Sequence, residues 1–180
     1  MPLSTLESRR VRLVAAGDDD GVVLYRLLLG QGLSTLPTQK AFLTEFARGA
    51  AAQFRIERRD TGDATGFSSL HAFDPAGHVE FGIYTNPVTN LPGLGAEAAL
   101  LTMNYAFTTW NIHKVYIRTT EASLPSMGLS INMLAEEGIL HDHLYFQGRH
   151  WDLHIFAMYR EQWVGFGAER TLRGLMSSAS

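Results

Sequence analysis

The spacing of apolar residues predicts a strand followed by two helices at the start of the chain. Within residues 11–15 the odd positions are all apolar, and a period of two is typical of a strand. Three acids at residues 18–20 precede a run of aliphatic residues, and acids are favoured in the first turn of a helix because they complement its dipole. A second helix is expected to begin near Thr38 and to end near Gly49.

The pattern changes to alternation between residues 51 and 85. Three alternating runs are separated by two turn signals, DTGD at residues 60–63 and DPAG at residues 74–77. In the third run, residues 78–85, the apolar odd positions share one face and Glu80 lies on the other. We therefore expect an antiparallel meander of three strands.

The rest of the chain switches between helical and strand patterns. It predicts a helix, a strand, an interrupted helix and two final strands, at residues 96–111, 113–120, 123–138, about 138–146 and about 150–159. This order of elements indicates an α+β fold built around one mixed sheet.

Composition and charge narrow the range of functions. The 180 residues carry a formal net charge of -3 and no cysteine. The charge does not point to nucleic acid, and the lack of cysteine excludes disulfides, thiolate metal sites and a cysteine nucleophile. No apolar run has the length of a membrane span, and no signal peptide is recognisable. We expect a single cytoplasmic domain at residues 1–165, a flexible tail at residues 166–180, and no nucleic-acid, membrane or metal partner.

A glycine-bearing loop joins the third strand of the meander to the next helix. In TNPVTNLPGLGAEAA, residues 85–99, Gly93 and Gly95 stand at the seam. Such a seam is either an ordinary turn or an anion site, because the first amides of a helix have no partner within it and the helix dipole favours negative charge. A dinucleotide-binding motif is not indicated, since no parallel βαβ unit precedes the loop and a third glycine is missing.

Four stretches of the chain, together with the order of elements, match one known family. They are VEFGIYTNP, NLPGLGAEAALLTMNYAF, WNIHKVYI and LAEEGILHDHLYFQGRHWDLHIFAMYREQW, and the likeness covers about residues 8–163. The chain resembles the GNAT superfamily of acetyl-CoA-dependent N-acyltransferases, nearest to the branch of the ribosomal-protein alanine and spermidine N-acetyltransferases. The resemblance implies a largely antiparallel sheet of about seven strands, splayed between strands four and five and flanked by about four helices.

The resemblance also implies a co-substrate, which is acetyl-CoA or another acyl-CoA. Its pantetheine arm would pair with the fourth strand at Phe81, Ile83, Tyr84 and Thr85. Its remaining contacts would come from the loop and the fourth helix, at Asn90, Leu91, Gly93, Leu94, Gly95, Ala96 and Ser126.

The chain departs from the family pattern in the loop and in the fourth helix. Asn90 stands where the family has Gln or Arg, and Pro92 removes an amide, so the loop itself carries no cation. The tyrosine that protonates the leaving thiolate in the family is missing, and Leu129 occupies its place. The polar residues left on that helix are Ser126, Ser130 and Asn132. Of these, Ser130 is the candidate catalytic residue.

Glu80 is the candidate general base. An amine nucleophile is protonated at neutral pH and must lose a proton before it attacks a thioester, so a carboxylate acting directly or through a water is required. The alternatives are a solvated strand glutamate or an ion-pair partner of Arg55 or Arg118. The resemblance implies that the backbone amide near Ile83 donates to the thioester oxyanion.

The other polar clusters are expected to be structural. His71 and His78 flank a predicted turn and should be exposed there. The arginines within residues 9–12 should form a solvated edge, and the acids at residues 18–20 a solvated helix start. The histidines between residues 141 and 154 lack a carboxylate at a spacing diagnostic of a metal site, so no metal is expected.

The acceptor is expected to be a small-molecule amine or a peptide N-terminus. A polyamine would require several carboxylates, and only Glu136, Glu137 and Asp142 are available near the expected pocket. By family habit the C-terminal hairpin should form a homodimer. Two alternatives remain open: an acyl-CoA-binding sensor or interaction protein with altered catalysis, and a transferase that uses a hydroxyl acceptor or a longer acyl group.

Overall fold

The computed structural model describes most of the chain. The described residues are 6–30, 36–46, 50–86, 88–89, 91–120, 123, 134–165, 171 and 173–175. These ranges contain the strands β1 (Val11–Ala15), β2 (Ala50–Arg58), β3 (Ala64–Asp74), β4 (His78–Thr85), β5 (Lys114–Thr120), β6 (Ala135–Phe146) and β7 (Arg149–Tyr159). They also contain the helices α1 (Asp20–Gly30), α2 (Gln39–Phe46), α3 (Leu94–Thr109) and α4 (Arg160–Gly165). Among these, no helix has both the length and the apolar character that a bilayer crossing requires.

The strands form one sheet in the order β1-β2-β3-β4-β5-β7-β6. Only the β4–β5 pair is parallel within this sheet, and its pairing ends at Phe81–Ile117. Since β4 continues to Thr85 and β5 to Thr120, the two strands part beyond that point and open a cleft. The predicted α+β fold, with its sheet splayed between strands four and five, is confirmed.

Helix α3 covers one face of the sheet and supplies the main core. The inward side chains of β4 and β5 are at most 3% exposed, namely Val79, Phe81, Val115 and Ile117. They share one buried cluster with α3 and with Trp163 of α4, whose ring stacks on Phe107. Burial of this apolar area contributes about 25 cal/mol per Å², so the core fixes β4 and β5 together on this face.

Helices α1 and α2 lie on the opposite face of the sheet. Leu24, Leu28 and Phe67 form a second buried cluster, and Tyr84 packs against it. Phe67 and Tyr84 are opposite each other on β3 and β4, so the helices cover the end of β4 that lies beside the cleft. Helix α3 and the α1–α2 pair therefore cover opposite faces of the sheet next to the cleft.

Most of the predicted elements are confirmed, with small shifts at their ends. Helix α3 begins at Leu94, slightly earlier than expected, because Gly93 forms its N-cap. The interrupted helix expected at residues 123–138 lies mostly outside the described residues, but its last part is wrong. From Ala135 onward the chain belongs to β6, where it pairs with β7. Helix α4 was not predicted because six residues are too few to establish a helical period.

The last described residues contact the start of the sheet. The carbonyl of Leu175 accepts the amide N–H of Arg9 at 2.9 Å. This contact places the described end of the chain next to the segment that leads into β1. The division into a domain at residues 1–165 and a flexible tail at residues 166–180 stays a prediction.

Buried acids tie α1 to the first strands. Glu57 on β2 and Asp20 at the start of α1 are both buried, and Arg55 bridges them at 2.6 Å and 2.8 Å. Arg12 adds a second contact to Glu57 at 2.8 Å. The expectation of a solvated helix start at residues 18–20 is therefore wrong for Asp20, because the arginine compensates its burial.

We expect Glu57→Gln to destabilise the fold in a pH-dependent way. Burial opposes ionisation of Glu57, but hydrogen bonds from Arg12 and Arg55 outweigh it and lower the pKa of this carboxyl. A carboxyl with a lowered pKa stabilises the folded state above its unfolded pKa of about 4.3, and this contribution is lost as the pH falls below that value. In urea titrations the variant should lose about 1–3 kcal/mol of unfolding free energy at pH 7 and much less at pH 3.

The matched control is Asp60→Asn in the exposed pair that Asp60 forms with Arg58. Asp60 is 65% exposed, and exposed ion pairs are screened by water, so its replacement should change stability little at either pH. An equal loss in both variants would contradict the role given to burial.

Candidate active site

The cleft exposes one edge of the β4 backbone. The amide of Asn86 donates to the carbonyl of Thr65 at 2.8 Å. This bond shows which alternate residues of β4 are hydrogen-bonded to β3. Alternate residues of a strand direct their backbone groups to opposite sides, so the even-numbered residues of β4 face β3. Ile83 therefore directs its amide and carbonyl toward the cleft. An edge of this kind can hydrogen-bond an extended ligand that carries amides.

Glu80 lies on the sheet face opposite α3, next to the point where the strands part. Its neighbours across the sheet are His71 on β3 and Tyr116 on β5. Its carboxylate oxygens are 3.5 Å from Nε2 of His71 and 3.8 Å from Nη1 of Arg118, and the side chain is 26% exposed. Of the two arginines considered as partners, Arg118 is nearby, whereas Arg55 is bound to other acids. Glu80 is thus an accessible carboxylate with loose contacts.

His71 lies near the end of β3, before the predicted turn, and its side chain is 39% exposed. It is directly opposite Glu80, and its Nδ1 is 3.5 Å from the hydroxyl of Ser69. The hairpin contains a register shift between His71 and Asp74, and the register before this shift sets His71 opposite Glu80. Only this register brings His71 to Glu80, so the signal could not be found from local pattern.

Gly82 lies on the same face, just beyond Glu80, and the side chains of Ser69 and Tyr84 pack closely against it. A Cβ atom at this position would lie 3.0 Å from Oγ of Ser69 and 3.5 Å from the hydroxyl of Tyr84. The ring of Tyr84 therefore lies beside Gly82, and burial raises the pKa of its hydroxyl. A glycine within a strand often marks a close approach of ligand. Here the glycine lets the hydroxyl of Ser69 and the phenol of Tyr84 approach the β4 backbone closely.

The loop after β4 enters α3 through Gly93. This residue has a φ of 83°, in the left-handed region that favours glycine. The amide of Leu94 is used in a turn within the loop, and the amide of Glu97 donates to the carbonyl of Gly93 at 3.1 Å. The amides of Gly95 and Ala96 lie in the first helical turn, where no intrahelical carbonyl is available to them. They are the loop amides best suited to an anion.

Arg10 brings a cation to this loop from the residues just before β1. Its Nε donates to the Glu97 carboxylate at 2.6 Å, and its Nη1 donates to the Pro92 carbonyl at 3.2 Å. Its Nη2 would be 2.9 Å from a Cβ atom at Gly93. Glu97 is buried and also accepts the hydroxyl of Ser8 at 2.5 Å. Arg10 is 45% exposed, as expected of a solvated edge, and it also supplies the loop with a positive charge from a distant segment.

Not all of the predicted positions can be placed. Asn90, Ser126 and Ser130 lie outside the described residues. Phe81 is 3% exposed with its side chain in the main core, and its backbone lies in the last pair that β4 makes with β5, so it stands at the closed end of the cleft. Leu91, at 45% exposed, stands at the surface of the loop.

A groove of about 280 Å³ lies elsewhere on this face, between α1 and the start of β3. Its lining consists of Val23, Arg26, Leu27, Ala64, Thr65, Gly66, Phe67 and Asn86. Phe67 and His71 are four residues apart on β3, about 13 Å along an extended strand. The groove is therefore beside the Glu80 region and not centred on it.

Two histidines of β6 and β7 each contact a single carboxylate. Nδ1 of His141 is 2.9 Å from Asp152, and Nδ1 of His154 is 2.8 Å from Glu136. In the part of the chain that the structure describes, no group of three or more His, Cys, Asp or Glu residues could hold a metal ion.

Known proteins are similar to this chain in sequence, and solved structures are similar to it in fold. A family model described as an acetyltransferase (GNAT) domain matches residues 10–131. The chain belongs to the GNAT acetyltransferase family. A relative from Bacillus licheniformis, described as an uncharacterized N-acetyltransferase p20, is 26% identical over 120 residues, which are 65% of this chain and 67% of that protein. The GNAT chain is thus an N-acetyltransferase, and its family uses acetyl-CoA as co-substrate.

Solved structures share the fold of this GNAT protein. A mutant form of the spermidine/spermine N-acetyltransferase SpeG from Vibrio cholerae gives a TM-score of 0.74 at 17% identity, over 88% of this chain and 98% of that chain. A probable GNAT acetyltransferase from Chromobacterium violaceum gives a TM-score of 0.66 at 22% identity, over 91% of this chain and 90% of that chain. At these identities the likeness concerns the fold alone.

We expect Arg10→Met to destabilise this GNAT protein because it leaves the buried Glu97 carboxylate without its ion pair. An uncompensated buried charge is costly, so the free energy of unfolding in urea at pH 7 should fall by about 1–3 kcal/mol. The double variant Arg10→Met/Glu97→Gln removes the charge as well and should recover most of the loss. A double variant as unstable as the single one would show that the ion pair is not the cause.

Proposed function

We propose that the protein transfers an acetyl group from acetyl-CoA to a primary amine by direct attack within a ternary complex. The observation that carries this proposal is that the parallel pairing of β4 and β5 ends at Phe81 and Ile117, directly beside Glu80. The edge of β4 beyond that point suits the pantetheine arm, and the accessible carboxylate of Glu80 suits an acceptor amine beside it. Direct attack needs no acyl-enzyme, which agrees with a chain that has no cysteine.

Glu80 is the general base of this mechanism. It takes a proton from the acceptor ammonium, directly or through a water, and the freed lone pair attacks the thioester carbonyl. The C–N bond forms, the C–S bond breaks, and the second proton lost by the attacking nitrogen replaces the one that the departing thiolate takes up. The cleft-facing amide of Ile83 donates to the carbonyl oxygen while negative charge develops there. His71, at 3.5 Å from Glu80, offers a path for the proton to solvent.

Tyr84 is the proton donor for the departing thiolate. The family's tyrosine on the fourth helix is replaced by Leu129, so another acid is required. The hydroxyl of Tyr84 lies beside Gly82 of β4, and burial raises its pKa, which keeps the phenol protonated at neutral pH. Ser130 remains a second candidate from the sequence.

The acetyl-CoA site has two parts in this proposal. The pantetheine arm would bind along Phe81, Ile83, Tyr84 and Thr85. The remaining contacts would come from Asn90, Leu91, Gly93, Leu94, Gly95, Ala96 and Ser126. The left-handed Gly93 and the amides that follow it fit a phosphate, and Arg10 adds positive charge next to them. No step of this mechanism needs a metal.

The acceptor is a small-molecule amine or a peptide N-terminus that enters between the α1–α2 pair and the β6–β7 hairpin. We place the protein in the cytoplasm as a homodimer that pairs through this hairpin. Support for pairing comes from β6, which stands at the edge of the described sheet and carries the exposed Ile139 and Leu140.

We expect Glu80→Gln to abolish most turnover without loss of donor binding. Removal of a general base lowers kcat by about 10²- to 10⁴-fold. The experiment measures acetyl-CoA binding by calorimetry and free-thiol release over a panel of primary amines. The matched control, Glu161→Gln, changes an exposed acid of α4 away from the cleft and should behave like the unmodified protein.

Three other outcomes would lead to different conclusions. Binding without thiol release from any amine would favour an acetyl-CoA-binding sensor. Release with a hydroxyl acceptor, or preference for a longer thioester, would favour another acyl transfer on the same scaffold. Full activity of Glu80→Gln would remove this residue from the mechanism.

We expect Tyr84→Phe to slow the transfer while acetyl-CoA still binds. The variant keeps the ring that packs on the α1–α2 cluster but loses the proton donor, so kcat should fall by about 10-fold or more and the KM for acetyl-CoA should stay the same. Acetyl transfer from a thioester with a more acidic thiol, which needs no proton on leaving, should be affected less. An equal loss with both donors would contradict the role of Tyr84 as an acid.

A further inference from the structure

Arg118 lies where β4 and β5 part, and its guanidinium is only loosely bound by its neighbours. It is the first residue of β5 beyond the last pair with β4, and it lies on the same face as Glu80 and Tyr116. Its side chain is 42% exposed. Its contact with Glu80, at 3.8 Å, is the only ion pair that the described part of the chain gives it, and this distance is too long for a hydrogen bond.

The structural arginines of this protein are bound far more tightly. Arg55 contacts two carboxylates at 2.6 Å and 2.8 Å, and both arms of Arg58 bind one carboxylate at 2.6 Å and 3.0 Å. Arg160 donates to three backbone carbonyls at 2.7–2.9 Å. Because a guanidinium has a rigid fork of donors that matches a carboxylate, Arg118 retains the capacity to bind one from outside.

The charges around Glu80 do not suit a polycation. The cationic or protonatable groups nearest to Glu80 are His71 and Arg118. Farther along the same face His78 pairs with Asp74, and Glu137 is bound by Lys114 and by the hydroxyl of Tyr159. Among the described residues of this face, Glu80 is therefore the loosely held carboxylate, and it stands beside a loosely held guanidinium.

We propose that the acceptor amine itself carries an acid group, as an amino acid does, and that Arg118 binds that acid group. This inference rests on the N-acetyl transfer proposed above. The ammonium of the acceptor lies at Glu80 and its carboxylate lies at Arg118, so the two side chains exchange their loose contact for one with the ligand. The short distance between them requires an amine and an acid separated by few bonds, as in an α-amino acid.

The experiment compares acceptors that differ only in the acid. The panel contains the proteinogenic amino acids, their neutral amides, the corresponding decarboxylated amines and spermidine, and thiol release from acetyl-CoA is measured for each. For the unmodified protein, kcat/KM for the best amino acid should exceed that for its amide and its amine by about 10-fold or more, because a charge-assisted hydrogen bond is lost.

Three variants identify the residue responsible. Arg118→Gln should lower kcat/KM for the amino acid by about 10- to 100-fold, mainly through KM, and leave the amide and the amine within about threefold. Arg118→Lys keeps the charge without the fork and should recover part of the loss. Arg58→Gln, at the β2–β3 turn, should not alter the preference. Thermal unfolding checks that each variant is folded.

The outcomes separate this inference from the proposed function. Equal or better turnover of amides, plain amines or spermidine would overturn the inference and leave N-acetyl transfer in place. The same would follow if Arg118→Gln lowered all acceptors equally, since that indicates a role in positioning Glu80. Acetyl-CoA binding with no release from any acceptor would contradict the proposed function, and the inference with it.

Discussion

The end of the parallel pairing between β4 and β5 is the constraint on which the rest of this structure depends. Up to Phe81 and Ile117 the strands are bound to each other and share a buried face with α3. Beyond that point β4 remains paired with β3 and β5 with β7, so neither strand can turn to meet the other. The backbone groups of Ile83, which face the cleft, can then bind a partner that is not part of the sheet. The cleft exists because the topology ends the pairing of β4 with β5 at this point.

Charge is distributed over the sheet in two ways. Asp20, Glu57 and Glu97 are buried, and each has an arginine nitrogen within 2.8 Å, as the cost of burying a carboxylate requires. Glu80 is more exposed, and its cationic neighbours stand at 3.5 Å and 3.8 Å. Tight pairs hold elements together, whereas loose pairs can exchange partners with a ligand. The tightness of each contact thus separates the structural carboxylates from Glu80, which we propose as the general base.

Membership of the GNAT family accounts for the fold and for the kind of reaction, but the acceptor depends on side chains that the fold does not fix. The structural likeness to SpeG extends over 88% of this chain at only 17% identity. Such a likeness preserves the cleft and allows the face around it to change. On that face this chain places Arg118 beside Glu80, and a guanidinium there repels a polycation and attracts an acid. The arrangement of charge is therefore more informative about the acceptor than the shared architecture.

The sequence by itself determined the order of elements, the meander, the glycine loop and Glu80 as an accessible strand carboxylate, because these depend on local periodicity and on the conformational freedom of glycine. Only the tertiary structure decided which distant residues meet. Arg10 reaches Gly93 and Glu97 across the fold, and His71 reaches Glu80 through a shifted hairpin register, neither of which local pattern encodes. Ala135 shows the same limit, since pairing with β7 overrides the helical pattern that precedes it. Strand register and long-range pairing are properties of the whole sheet, so they could not be obtained from any one segment.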